Sequence, residues 1–96
     1  MEINVQSIKF DADQKLLAFV EKKLSKAEKF FDGITSLDVK LSLLNEDLNK
    51  SVKVIASIPG SQVVVERNAK TFEDAVNDCA DTLKENLTRL KEKRTE

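Results

Sequence analysis

Between Leu37 and Arg67 the apolar residues fall mostly on every second position, and on either side of that stretch they recur every third or fourth. This change of period constrains the fold more than any other feature. A side-chain period of two belongs to strands with one buried face, and a period of 3.6 to helices with one buried stripe. Leu37, Val39, Leu41 and Leu43 alternate first, then Val52, Val54, Ala56 and Ile58, and a third run follows in Val63, Val64 and Val65. Asn45, Glu46, Asp47, Leu48 and Asn49 break the pattern after the first run. Pro59 and Gly60 mark a tight turn after the second, so residues 51–67 read as a β-hairpin.

On the N-terminal side, Ile3 and Val5 share one face of a short strand. Asp11 as N-cap with Gln14 three residues on has the form of a capping box, opening a helix that runs to about Phe31. Leu16, Val20, Leu24, Ala27 and Phe31 fall on one side of it, with Leu17 at the margin. Asp32 and Gly33 supply the stop, with Gly33 suited to a left-handed C-cap. On the C-terminal side Thr71 caps a second helix whose stripe is Phe72, Val76, Cys79, Ala80, Leu83, Leu87 and Leu90. The end beyond Leu90 has no apolar anchor and is expected to fray.

The order is therefore β-α-β-β-β-α, with strands at about 2–8, 35–44, 50–58 and 62–68 and helices at about 12–31 and 72–92. Each element has one apolar face. The expected fold is α+β: a two-layer sandwich of a four-stranded sheet with two helices packed on one face, similar in layout to double-stranded-RNA-binding domains. With 96 residues and neither repeat nor linker, residues 1–96 form a single domain.

Composition narrows the function. A single cysteine excludes an intramolecular disulfide framework, and the absence of histidine removes the usual general base and the commonest transition-metal ligand. Cys79 lies on an apolar stripe beside Asp78 and Asp81, which suits a small buried hydrophobe better than a reactive thiolate. Glu73, Asp74, Asp78 and Asp81 are explained more simply by the positive end of the helix dipole than by a metal. No enzyme, catalytic residue, metal or cofactor is expected. No apolar run reaches the roughly 20 residues of a membrane span, and the first residues have no signal-peptide layout. The chain is expected to be cytoplasmic and monomeric, with no membrane or DNA partner.

Sixteen Lys and Arg against seventeen Asp and Glu leave a net charge of −1, but the signs are not mixed evenly. Projected along the first helix, Lys15, Lys22, Lys26 and Lys29 fall within an arc of roughly 60°, and Glu21 and Glu28 fall at the opposite edge of the polar face. A like-charge row costs a few tenths of a kcal/mol per neighbouring pair, which a polyanion would offset. The first half of the second helix carries Glu73, Asp74, Asp78 and Asp81, and its last turns carry Lys84, Arg89, Lys91, Lys93 and Arg94 against Glu85 and Glu92. Arg89 and Lys93, in line with Asn86 and Thr82, would border the lysines of the first helix if the two packed side by side. On pattern alone, a solvated solubility face remains the stronger account, and the segregation of sign narrows the gap without closing it. A small adaptor using the lysine face of helix one to bind an acidic protein groove is the alternative. The five Phe fall mostly on core stripes, which disfavours a reader of unpaired bases by aromatic stacking.

Several blocks then match together in order and spacing: Ile3 to Val5, the helix start at Asp11, Phe19 and Val20, and the basic run from Lys23 to Asp32 with its Phe30–Phe31 pair. Ala75, Val76, Asp81 and Leu83 follow, and then residues 87–91. Through them the chain resembles, over nearly its full length, the short ribosome hibernation promoting factor and ribosome-associated inhibitor family, or sigma-54 modulation proteins. The resemblance implies a translation inhibitor of stationary or stressed cells. Such a protein binds ribosomal RNA of the small ribosomal subunit between head and body, in the decoding channel, and blocks messenger and transfer RNA. The chain ends after its second helix, as the short form does. The residues implied in RNA binding are Lys22, Lys23, Lys26 and Lys29 of helix one and Arg89, Lys91 and Lys93 of helix two, and the charge pattern adds Lys15. Thr82 and Glu85 stand where the family usually carries Lys and Arg, and Glu73 where it carries tyrosine, so positive charge is missing from the middle of helix two.

Overall fold

The computed structural model describes residues 2–29, 31–44 and 49–94, the last four through their backbone only. Strands β1 (Glu2–Ile8), β2 (Ser36–Leu43), β3 (Lys50–Ile58) and β4 (Ser61–Ala69) form one sheet in the order β1-β2-β3-β4. The β2–β3 and β3–β4 pairs are antiparallel, whereas β1 lies parallel to β2. A parallel neighbour needs a crossover, and helix α1 (Gln14–Leu24) lies in that connection. Helix α2 (Phe72–Arg94) follows β4.

The register converts the alternating sequence into continuous apolar rows. Val5 pairs with Val39, Val39 with Val54, and Val54 with Val65, so one row of valines crosses all four strands. Ile3, Leu37, Ala56 and Val63 form the next. Onto this face pack Val20 and Leu24 of α1 and Phe72, Ala75, Val76, Cys79, Leu83 and Leu87 of α2, all in one core. The other face carries Asn4, Lys40, Lys53 and Glu66 in a polar surface, so both helices lie on one side of the sheet. At the hairpin tip Ile58 pairs with Ser61, and Gly60 takes φ +76°, the left-handed value that a Pro-Gly turn requires and other residues adopt at a cost. Most of the turn expected over 45–49 lies outside the described residues; Leu44 N–H donates to the Asn49 carbonyl at 2.7 Å to close its stem.

Three local expectations are corrected. The N-cap of α1 is Asp13, not Asp11: its carboxylate accepts from Leu16 N–H at 2.8 Å. The chain must first rise from the sheet to the helix layer. Lys9 turns it with φ +64°, and Phe10 anchors it by stacking on Phe72, ring centres 5.1 Å apart. Residues 11–13 are still climbing. Secondly, the helix expected to reach Phe31 ends its α-helical part at Leu24 and tightens into a 3₁₀ helix over Ser25–Lys29. The Ser25 hydroxyl donates to the Lys22 carbonyl at 3.1 Å, a local bond that competes with regular helix. Leu24, Ala27 and Phe31 stay buried nonetheless. Thirdly, Gly33 is not left-handed. It is needed because a Cβ there would stand 2.7 Å from Phe31 Cε1. The cap at Thr71 forms as expected, its hydroxyl accepting from Asp74 N–H at 3.1 Å.

Candidate nucleic-acid interface

Helices α1 and α2 lie side by side and run in the same sense. Lys15 and Phe19 of α1 share a hollow with Glu73 at the start of α2, and Leu24 and Ala27 share the next groove with Asn77 to Lys84. Small residues at the contact, Ala27 and Ala80, let the helices approach there. The apolar stripes hold both helices in place, and the same stripes decide which polar residues stand at the seam.

The seam is basic. A groove of about 200 Å³ between the helices has Leu24, Ala27, Ala80 and Leu83 in its walls. Lys23 and Lys26 come to it from α1 and the 3₁₀ helix, and Lys84 from α2. Lys23 is half-buried, and its Nζ stands 5.7 Å from the centre of the Phe19 ring, a cation–π contact that fixes the side chain along the helix. The 3₁₀ segment brings Lys26 and Lys29 into line, because residues three apart eclipse at three residues per turn. Both are exposed.

The remaining candidates are placed elsewhere. Lys22 lies on the flank of α1 towards β1, in a shallow hollow with Ile3 and Glu21. Lys15 shares its hollow with Asp11, Asp13 and Glu73, three acidic residues to one lysine, which sets it apart from the seam. Arg89 does not border the helix-one lysines. It lines a hollow with Ser61, Gln62 and Asn86, on the flank of α2 facing β4. Thr82, in the same row, accepts from Arg67 Nη2 at 3.1 Å, while Arg67 Nη1 donates to the Glu66 carbonyl at 2.7 Å. The row 82–86–89 thus faces the sheet edge, and the continuous strip expected from Arg89 to helix one is not formed through it. A second hollow, on the outer surface of α2, joins Lys84 to Arg89 past Asp81 and Glu85. The side chains of Lys91 and Lys93 lie outside the described residues.

Two cations at these surfaces were not picked out as sites from the sequence. Lys84 was legible as part of the basic half of helix two, and its neighbour Ala80, a small residue at one edge of the stripe, marks the side on which α1 packs. Arg67 occupies an inward-facing position in β4, opposite Val52, and its guanidinium brings positive charge to Thr82. Charge that the middle of α2 lacks in its own sequence is therefore supplied there from the adjoining strand.

Cys79 is fully buried, and its thiol donates to the Val52 carbonyl at 3.4 Å. Burial pushes the thiol up to about 11, partly opposed by the Arg67 guanidinium. The neutral thiol is the form the core holds, as the apolar stripe implied. Among the described residues no three Cys, Asp or Glu side chains come together as a metal site.

With this geometry in view, comparison with known proteins is decisive. Residues 3–95 match the family described as Sigma 54 modulation protein / S30EA ribosomal protein. The chain belongs to this family. The ribosome hibernation promoting factor of Azotobacter vinelandii is 30% identical over 96 residues, covering 100% of this chain and 88% of that protein. The Pseudomonas putida protein of the same name is 31% identical over 93 residues, covering 97% and 89%. The fold agrees with two solved structures. A ribosomal subunit interface protein from Coxiella burnetii superposes with a TM-score of 0.82 at 21% identity, over 95% of this chain and 98% of the other. The N-terminal domain of Protein Y from Thermus thermophilus gives 0.77 at 22% identity, over 93% and 94%. The family resemblance drawn from the sequence and the α+β sandwich both stand.

Proposed function

We propose that this chain is a ribosome hibernation factor whose helical face seats on ribosomal RNA of the small subunit, in the decoding channel, and so excludes messenger and transfer RNA. The observation that carries this is the seam: Lys23, Lys26 and Lys84 meet around one groove, and Lys29 extends the line, in a chain whose net charge is −1. Two parallel helices set cations at fixed spacing, which suits regular phosphate rows read by shape. Each neutralised phosphate releases counterions. The action is occupancy of a channel, with no bond made or broken. The likeness to double-stranded-RNA-binding domains is one of layout only, and nothing in this function depends on it.

Co-sedimentation with purified bacterial small ribosomal subunits through sucrose tests the proposal. Wild-type protein is expected in the subunit fraction, with affinity falling steeply as salt rises. About five phosphate contacts give a slope of about −4 in log K against log salt. Charge reversal of Lys26, Lys29 and Lys84 together abolishes co-sedimentation. A triple variant that sediments with subunits as wild type does places the surface elsewhere, and a wild-type chain that stays at the top of the gradient favours the adaptor.

A further inference from the structure

One residue of the seam does not fit a surface built for phosphates alone. Asp81 lines the inter-helix groove together with Lys23, Lys26 and Lys84, and it is exposed. A carboxylate there repels phosphate. The helix dipole, expected from the sequence to account for Asp81 as for Glu73 and Asp74, does not reach it, since it favours acids only within the first turn and α2 begins at Phe72. Asn77 lines the same groove one turn earlier, at the i,i+4 spacing that puts two side chains on one face. The groove is smaller than the roughly 300–1,000 Å³ of sites for drug-sized ligands. At about 200 Å³ it has room for one nucleobase.

We infer that the groove takes a single unpaired guanine of the bound RNA, read on its Watson–Crick edge by Asp81 and Asn77, with the flanking phosphates on Lys23, Lys26 and Lys84. A carboxylate only accepts hydrogen bonds. Guanine is the one standard base whose Watson–Crick edge offers two adjacent donors, N1–H and the N2 amine, so both oxygens of Asp81 are used. The Asn77 amide donates to the adjoining O6. Adenine, cytosine and uracil each present a single donor beside an acceptor and leave one carboxylate oxygen facing a lone pair. Apolar groove walls suit the faces of the base, and splayed-out bases are the usual targets of sequence-specific RNA contacts. The inference rests on the ribosomal RNA function proposed above and adds a base-specific contact to it.

The test compares Asp81→Asn with Asp78→Asn, which removes the same charge from an exposed position of α2 that lines none of the hollows described above. Affinity for small ribosomal subunits is measured at fixed salt. Kethoxal, which reacts with guanine at N1 and N2, maps accessible guanines in each complex. Loss of a bidentate base contact weakens Asp81→Asn by about tenfold and unmasks one guanine protected by wild type, whereas Asp78→Asn binds as wild type or slightly tighter. If Asp81 only offsets the neighbouring lysines, Asp81→Asn binds tighter with an unchanged guanine pattern, and the inference falls while subunit binding stands. If wild type does not bind subunits at all, both fall.

Discussion

Cys79 shows how one buried side chain links the fold to solution conditions. Its thiol is the sequence's single cysteine, fully buried, and raised by burial from 9.0 to about 11. The sign follows from proton counting. Below pH 9 the thiol is neutral in both folded and unfolded chains and stability is unaffected. Between 9 and 11 the unfolded chain loses the proton and the folded chain keeps it, so stability falls as pH rises. Urea unfolding is expected to show wild type losing about 1 kcal/mol between pH 8 and pH 10 relative to Cys79→Ala, which has no thiol to titrate. A constant difference between the two proteins across that range contradicts the burial of a neutral thiol.

At the scale of elements, the sequence was most readable where a period ran uninterrupted. The β2 and β3 runs alternate over enough positions to fix strand and face, the Pro59–Gly60 turn then marks the hairpin into the valines of β4, and the register follows from matching valines across the sheet. Element ends were less readable, because they depend on contacts between segments distant in sequence. Asp11 and Asp13 are equally good caps by residue type. Phe72, far away in the chain, decides between them by holding Phe10 and so setting where the helix starts. Asp13→Ala is expected to cost about 1 kcal/mol of stability and Asp11→Ala a few tenths at most, measured by chemical denaturation. Equal losses contradict the Asp13 cap. The same limit explains the seam. A projection at 100° per residue places Lys15 with Lys22, Lys26 and Lys29, but the 3₁₀ turn after Leu24 changes that spacing, and Lys15 shares a separate hollow with Asp11, Asp13 and Glu73. No single-helix pattern tells which flank of α2 meets α1. Ala80 gives the answer once the helices are packed, which brings Lys84 to the groove and leaves Arg89 towards β4.

For the molecule as a whole, a net charge of −1 conceals hollows of opposite sign. The seam carries three lysines to one aspartate, and the hollow near the helix starts carries three carboxylates to one lysine. The polar face of the sheet lies on the other side of the core. Binding to RNA should therefore depend on where positive charge is removed and much less on how much is removed. Two double variants separate these. Lys26→Glu with Lys29→Glu changes the line at the seam, and Lys40→Glu with Lys70→Glu changes exposed positions on and beside the sheet; each takes the net charge from −1 to −5, at two units per substitution. The most direct measurement is the affinity of each for small ribosomal subunits at one salt concentration. The seam variant is expected to lose binding by a hundredfold or so while the sheet variant stays within a few-fold of wild type. Equal losses in the two, or a greater loss in the sheet variant, would contradict the seam as the RNA-binding surface.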